Sequence, residues 1–420
     1  MSEHPRRKVG RQIIVDVTPL RESVPFRWLY LGTMAGFVGR QITVVAVPFQ
    51  VFLLTNSSLA VGMLGVVQLV PLLLAALVAG AFIDAFDRRR ILVVSQILLA
   101  ATALGLAYNA SQTAPLIWPI YVLSALNAGL STLDLPTRMA MVPSLVRRDH
   151  FPAAMALQQT MVNVGHAVVP AVAGLLLARL SITAAYLAEA AAFLVAAALV
   201  RRLPRMQPEG GGRAVGFGSI GEGLRYLRGQ RLIKATFLID INAMVFGMPR
   251  ALFPAIGTGL LGGDASTVGL LHAAPGVGAF LAALTSGWVG NIQRKGRAVI
   301  YAVIVWGLAI TAFGLVRSLP IALLALAVAG GADVVSAVFR ATILQLTVPD
   351  ALRGRLSAIH IAVVSGGPRL GDAEAGAVAA LTSLRFSVVS GGMACLFGAL
   401  AVMRFMPDLW RYGEPAPARE

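Results

Sequence analysis

Long apolar runs separated by short polar stretches fill almost the whole of this 420-residue chain. A helix needs about 20 predominantly apolar residues to cross a hydrocarbon core about 30 Å thick. Twelve runs meet that requirement, near residues 28–53, 59–83, 91–108, 116–142, 154–178, 183–200, 232–256, 266–289, 298–316, 320–346, 357–381 and 386–406. The pattern predicts an all-α membrane protein with twelve transmembrane helices and no soluble domain. The first run follows a basic stretch, yet it is too long for a secretory signal and lacks a small-x-small cleavage site.

The polar stretches set the domain organisation. Residues 1–27 are polar, basic and punctuated by Pro5, Pro19 and Pro25, and read as a cytoplasmic tail. The one long connection, 201–231, opens with Arg201, Arg202 and Pro204 and passes through Gly210, Gly211 and Gly212. Its second part carries Ile220, Leu224 and Leu227 with charges between them, the spacing of a helix lying at the membrane interface. This linker divides a six-helix half, 28–200, from a second, 232–406, with a short tail at 407–420. Loops on the opposite side are too short to form a binding domain, so any small-molecule substrate has to be recognised between helices.

Composition agrees with lipid as the solvent. The chain is 57% hydrophobic and 13% charged, with mean hydropathy +0.77, where soluble domains are about a quarter charged. Cys395 is the only cysteine, so neither a disulfide framework nor a thiolate metal cluster is available. A formal net charge of +16 raises the question of nucleic acid, and the placement of the charge answers it. Of the 35 Lys and Arg, Arg179, Arg317 and Arg385 fall in loops on one side, and Arg40, Arg138, Arg250, Arg340 and Arg369 fall in runs. All the others lie on the side of the two termini. That is the positive-inside pattern: both termini are cytoplasmic, and the basic residues attract anionic membrane lipids. No basic segment alternates with aromatics as a single-strand groove requires, which argues against nucleic acid.

The chain also repeats itself. The segment from Gly80 through Asp84, Arg88 and Arg89 has an echo from Gly287 through Asn291 and Lys295 to Arg297. In the same register Gly62 falls on Gly269 and the tetrapeptide beginning at Leu74 falls on the one beginning at Leu281. A weaker match sets Arg138, near the inner end of the fourth run, on Arg340 near the inner end of the tenth. Duplicated halves of several helices are the mark of a transporter built from structural repeats.

Polar residues inside the runs are the site candidates, since a charge at the centre of a membrane helix costs about 2.5–3.5 kcal/mol on insertion scales. Arg40 lies about 18 Å into the first run, followed by Gln41. Asp240 and Asn242 sit in the seventh run, Asp372 and Glu374 in the eleventh. Two readings stand for Arg40: a static ion pair between helices, or contact with substrate across a cavity from Asp240, which is favoured. Asp372 and Glu374 are about 200° apart around a helix, so one faces a cavity. Asp372, together with Glu374 and Asp240, is the candidate for proton coupling, against a structural role for Asp372 capping a helix broken around Gly366, Gly367 and Pro368. Asn127, Asp134, Asn163, His166, Glu189, Asp333 and His360 read mainly as interhelical hydrogen-bonding groups. Five histidines and one cysteine assemble neither a metal set nor a nucleophile with its base. With no cofactor motif either, enzyme chemistry is not indicated.

The loop Gly80, Asp84, Arg88, Arg89 resembles the G-x-x-x-D-R-x-G-R-R/K loop of the major facilitator superfamily, with Ala85 and Asp87 departing from it. Gly165, Pro170 and Gly174 are similar to an antiporter motif of its fifth helix. Thr43 to Val51, Ser58 to Gly62, Val348 to Arg355 and Gly371-Asp372 resemble its enterobactin-exporter branch over nearly the whole chain, and the Ala- and Arg-rich composition points to an actinobacterial member. The resemblance implies twelve helices in two pseudo-symmetric halves that rock around a midplane cavity, with Gly80 packing closely and Asp84 meeting Arg138 to lock one state. It also implies a secondary active exporter of a siderophore-like or amphipathic molecule, coupled to proton antiport because no nucleotide-binding loop is present. A drug or macrolide efflux pump and a non-transporting membrane scaffold or lipid-handling protein are the alternatives.

The topology has a direct check. With single cysteines at Gly211 and at Gly262 in a Cys395→Ser background, an impermeant thiol reagent outside intact cells should label position 262 alone. Labelling at 211 would reverse the assignment.

Overall fold

The computed structural model describes residues 16–207, 225–227, 229–285, 287 and 291–413. The first part holds α1 (Val24–Thr55), α2 (Ser58–Ala85), α3 (Arg88–Ala110), α4 (Ile117–Thr132), α5 (Asp134–Leu145), α6 (Phe151–Arg179) and α7 (Ile182–Val200). The second holds α8 (Arg231–Phe246), α9 (Ala265–Leu284), α10 (Lys295–Leu315), α11 (Leu319–Thr347), α12 (Asp350–Leu381) and α13 (Leu384–Phe405). Short polar stretches punctuate them by capping. The side chains of Ser23, Ser57, Asp87, Ser181, Asp264 and Ser383 each accept from a backbone N–H in the first turn that follows. Hydrogen bonds from the Ser266 hydroxyl and the first-turn amides hold the Asp264 carboxyl below the usual carboxylate range.

Ten helical stretches among the described residues are long and apolar enough to cross a membrane. Two of the twelve runs read from sequence are helical but differ in character. The run at 116–142 is interrupted at Leu133, between α4 and α5, and α12 carries His360, Arg369, Asp372 and Glu374 along its length. The helix expected to break around Gly366 to Pro368 runs on unbroken through Pro368. The break lies instead in the seventh run, where α8 stops at Phe246 and the chain continues as short turns at Arg250–Leu252 and Phe253–Ala255 and a wide turn at Ile256–Leu260. The interfacial helix expected near 220–228 lies mostly outside the described residues.

Within the first part α1 and α3 both pack on α7, and α2 packs on α4. Within the second α10 lies between α11 and α13, and α9 packs on α11. Large apolar side chains such as Leu74, Leu104, Leu324, Phe386 and Phe397 remain exposed, as a surface facing lipid requires. The two parts meet along two seams, α6 against α9 and α2 against α12.

Glycines set both seams. A Cβ on Gly269 would lie 2.6 Å from the Cα of Gly174, and a Cβ on Gly62 would lie 3.1 Å from the Cα of Gly376. Backbones approach this closely only where side chains are absent, and close approach is how helices gain van der Waals contact in lipid. Both contacts lie at the end assigned to the outside. At the opposite end, a Cβ on Gly80 or on Gly287 would meet nothing within 4 Å among the described residues. The close packing expected at Gly80 is therefore not made among the described residues.

Replacing Gly269 by Leu should force the outer ends apart, at a cost of about 1–3 kcal/mol for overpacking. Alkylation of an Ala265→Cys probe from outside, in a Cys395→Ser background, should then speed up. An unchanged rate would show that this seam does not hold the outside closed.

Candidate functional site

Two buried charge clusters, one in each part, occupy equivalent places. In the first, Asp134 stands where the break at Leu133 interrupts the α4–α5 run. Its Oδ2 accepts from Arg40 of α1 at 2.7 Å and its Oδ1 accepts from Gln96 of α3 at 2.9 Å. Arg138, one turn further along α5, places a nitrogen 2.8 Å from Oδ1 and donates to the Thr33 hydroxyl of α1 at 2.5 Å. Asp134 and Arg138 are each 2% exposed, whereas Arg40 retains 23% of its exposure. One carboxylate therefore serves two guanidiniums, and the cluster carries a formal surplus of positive charge.

In the second cluster, a guanidinium nitrogen of Arg340 in α11 lies 2.8 Å from Oδ1 of Asp240 in α8, both almost fully buried. Arg340 also donates to the Ser336 hydroxyl at 2.7 Å. His360 of α12 brings its Nδ1 to 3.9 Å from the other oxygen of Asp240 and stays 28% exposed. Asp333, two turns before Arg340, lies within electrostatic reach of both Arg340 and Asp240. A small crevice lined by Thr236, Phe237, Arg340, Leu344 and His360 opens beside the pair.

The helix break after α8 brings a further charged group into the membrane. Its freed backbone groups are met by neighbours, as irregular backbone at membrane depth requires. Asp372 accepts from the Ala251 N–H at 3.0 Å, and the Trp306 indole donates to the Gly247 carbonyl at 2.9 Å. Arg250 sits in this break, and its side chain makes no ion pair or hydrogen bond with the described residues. It lies within electrostatic reach of His166, His272, Asp333, Arg369 and Asp372. On α6, Gln159 donates to Asn163, and His166 packs edge-on to Phe37 at 4.9 Å. This exposed polar row faces the space between the two parts, since lipid would penalise it.

Several residues singled out in the sequence stand differently from expectation. Arg40 is paired with Asp134, not with Asp240 or Asp372, because the broken helix lies directly against α1. Gln41 is buried beside it. Asn242 donates to the Cys395 carbonyl at 2.8 Å and so faces α13. Asp372 caps a break in a neighbouring helix, and Glu374 is half-buried with no side-chain hydrogen bond among the described residues. Asp84 does not reach Arg138, whose charge is already taken by Asp134. In its loop Asp87 is the engaged carboxylate, accepting from the N–H groups of Arg89 and Met206. Arg88 donates to the Ala140 carbonyl and Arg89 to the Leu203 carbonyl, both at 2.9 Å. In the echo of that loop Asn291 is exposed and Lys295 is buried at the start of α10.

Asp134, which the sequence reading assigned to interhelical hydrogen bonding, carries more than that. Its signal was present as an acid four residues before an arginine, the spacing of an ion pair on one helix face. Arg250 had no such local signal, because nothing in hydropathy distinguishes a helix that stops at Phe246 from one that runs on.

A family model described as transmembrane secretion effector matches residues 14–412. The enterobactin exporter EntS of Citrobacter koseri is 26% identical over 405 residues, covering 96% of this chain and 97% of that protein. Among solved structures, a bacterial homolog of the human lysosomal transporter Spinster, inward-facing and unoccupied, superposes with a TM-score of 0.70 at 16% identity over 94% of this chain and all of the other. A D-xylose–proton symporter gives 0.70 at 15% identity, over 91% and 98% of the two chains. A relationship spanning nearly the whole of both chains, together with this all-helical fold, settles the class: a multi-pass membrane transporter and not an enzyme. The chain belongs to the transmembrane secretion effector family of the major facilitator superfamily.

Proposed function

We propose that this protein is a secondary active exporter of an amphipathic small molecule bearing anionic groups, siderophore-like in character, driven by proton antiport and alternating access. The observation that carries the substrate class is the surplus of guanidinium between the two parts. Arg40 offers its solvent-facing nitrogens while one is held by Asp134, and the Arg250 side chain makes no ion pair or hydrogen bond with the described residues, Asp333 and Asp372 acting on it only at a distance. A buried or half-buried guanidinium lacking a full counter-charge is an anion site, and its planar fork suits carboxylate-like oxygens. The similarity to enterobactin exporters supports the direction of transport and the siderophore character. Residues 28–200 and 232–406 are the two bodies that rock, with the glycine seams as the outer contact that separates when the outside opens.

In this reading the ion pair of Arg40 with Asp134 exchanges partners during the cycle. An anionic oxygen of the substrate replaces part of the Asp134 contact, and Asp134 stays neutralised by Arg138 and hydrogen-bonded to Gln96. The protein therefore never strands a buried carboxylate, which would cost several kcal/mol. The loop of Asp84, Arg88 and Arg89 and its echo at Gly287, Asn291 and Lys295 act as the conformational gate. They lie at the inner ends, where the two parts come together when the inside closes.

Uptake of enterobactin into inside-out vesicles under a proton gradient tests this. Arg40→Gln and Arg250→Gln should each lower transport about tenfold or more, equivalent to about 1.4 kcal/mol. Arg40→Lys, which keeps charge and loses the fork, should retain part of the rate. Uncharged macrolides should be indifferent to all three. Wild-type rates in both Gln variants, with the proteins folded and in the membrane, would remove the anionic substrate class.

A further inference from the structure

The two charge clusters are the same construction with one residue exchanged. The register that sets Gly62 on Gly269 also sets Thr33 on Asp240, and the register that sets Arg138 on Arg340 also sets Asp134 on Ser336. In the first part the arginine meets a carboxylate on its own helix and a hydroxyl on the facing one: Asp134 and Thr33. In the second it meets a hydroxyl on its own helix and a carboxylate on the facing one: Ser336 and Asp240. Acid and hydroxyl have traded places.

The trade changes what the carboxylate is held by. Asp134 accepts hydrogen bonds on both oxygens and faces two guanidiniums, so donors from three side chains meet its charge. Asp240 has one guanidinium at contact distance, and neither of its oxygens accepts a well-formed hydrogen bond from the described residues. One of those oxygens faces His360, whose ring reaches the solvent-accessible crevice on the inner side. The repeated arginine is also tied differently: the Arg138–Asp134 pair is internal to α5, whereas the Arg340–Asp240 pair ties α8 to α11, so its making and breaking can move one helix relative to another.

We propose that Asp240 is the proton-coupling carboxylate of this transporter, with His360 as its proton relay to the inner side and Arg340 as the counter-charge that registers whether the proton is present. The inference rests on the antiport reading and names its site. In the inside-open state, protonated Asp240 gives its proton to a water bridging the 3.9 Å gap to His360, and that water gives one of its own protons to the imidazole nitrogen. The imidazolium then gives its proton to water in the crevice, and the carboxylate left behind closes the 2.8 Å ion pair with Arg340. In the reverse step a proton bound on Asp240 releases Arg340. The nearest remaining acid is Asp333, two turns earlier on the same helix and with an oxygen that lacks a partner. Asp333 lies within electrostatic reach of Asp240, whereas Arg250, Arg369 and Asp372 lie within reach of one another around the break. The helices α10 and α13 meet α8 and its break through the Trp306 bond to Gly247 and the Asn242 bond to the Cys395 carbonyl, and the Cys395 thiol is directed at the Val303 carbonyl.

Infrared difference spectra of the full-length protein in lipid, titrated across pH, test this without a transported substrate. The wild type should show protonated-carboxyl C=O bands that appear as pH falls, with Asp240 contributing beside the other buried carboxyls Glu189, Asp333 and Asp372, and Asp240→Asn should remove one band and leave the rest. Because Asp240→Asn strands Arg340, the double variant Asp240→Asn with Arg340→Gln repeats the test with no uncompensated charge, and it too should lack the band. His360→Gln should displace the midpoint by about one pH unit, the scale of coupling between adjoining titrating groups. Asp134→Asn in an Arg138→Gln background should leave the band in place. Spectra in which both Asp240 variants keep every titrating band of the wild type, or a wild type with no titrating band, overturn the assignment. Should the band behave as expected while proton-driven uptake is absent, the proton site stands and the antiport reading falls.

Discussion

A fully buried guanidinium between membrane helices cannot be left without partners, and that constraint organises this protein. Arg138 and Arg340 are almost wholly withdrawn from solvent, and each is seated by an acid and a hydroxyl drawn from two helices. Helix positions follow from these seats: α1, α3 and α5 converge on Asp134, and α8, α11 and α12 converge on Asp240. Lipid offers no hydrophobic drive to pull helices together, because its tails are as apolar as leucine. Buried ion pairs and backbone contact between glycines fill that role, the first within each part and the second between them.

Much of the fold was legible in the sequence because its largest signal, continuous apolar length, is what the bilayer selects for. The helices follow from it, and the internal echo was legible separately, in residues repeated at a fixed offset. The two interruptions were not legible, for a common physical reason. A helix break inside a membrane is paid for by partners far away in sequence, such as Asp372 for Ala251 and Trp306 for Gly247, and no local window contains them. For the same reason Arg40 was readable as costly but not as the partner of Asp134. Depth is encoded by position along a run, whereas pairing is encoded by the packing of α1 on a helix whose bend the sequence does not announce.

The duplication gives the structure its own internal comparison. Ancestral halves sharing one arginine site would be interchangeable. Moving a carboxylate from α5 in one half to α8 in the other separates the two. One arginine acquires a partner fixed on its own helix, and the other acquires a partner across a helix boundary. Asymmetry of function thus needs no new architecture, only the relocation of a single acid.

The glycine seams carry a different consequence. Backbone laid on backbone, as at Gly174 on Gly269, interlocks no side chains, so parting it requires no rotamer to change and leaves no polar group unsatisfied. The work of separation is then mostly dispersion, which lipid chains entering the gap largely return. Such a joint is sensitive to the lateral pressure and acyl-chain order of the surrounding bilayer. The composition of the membrane becomes, through these two contacts, a setting on how readily the outer end opens.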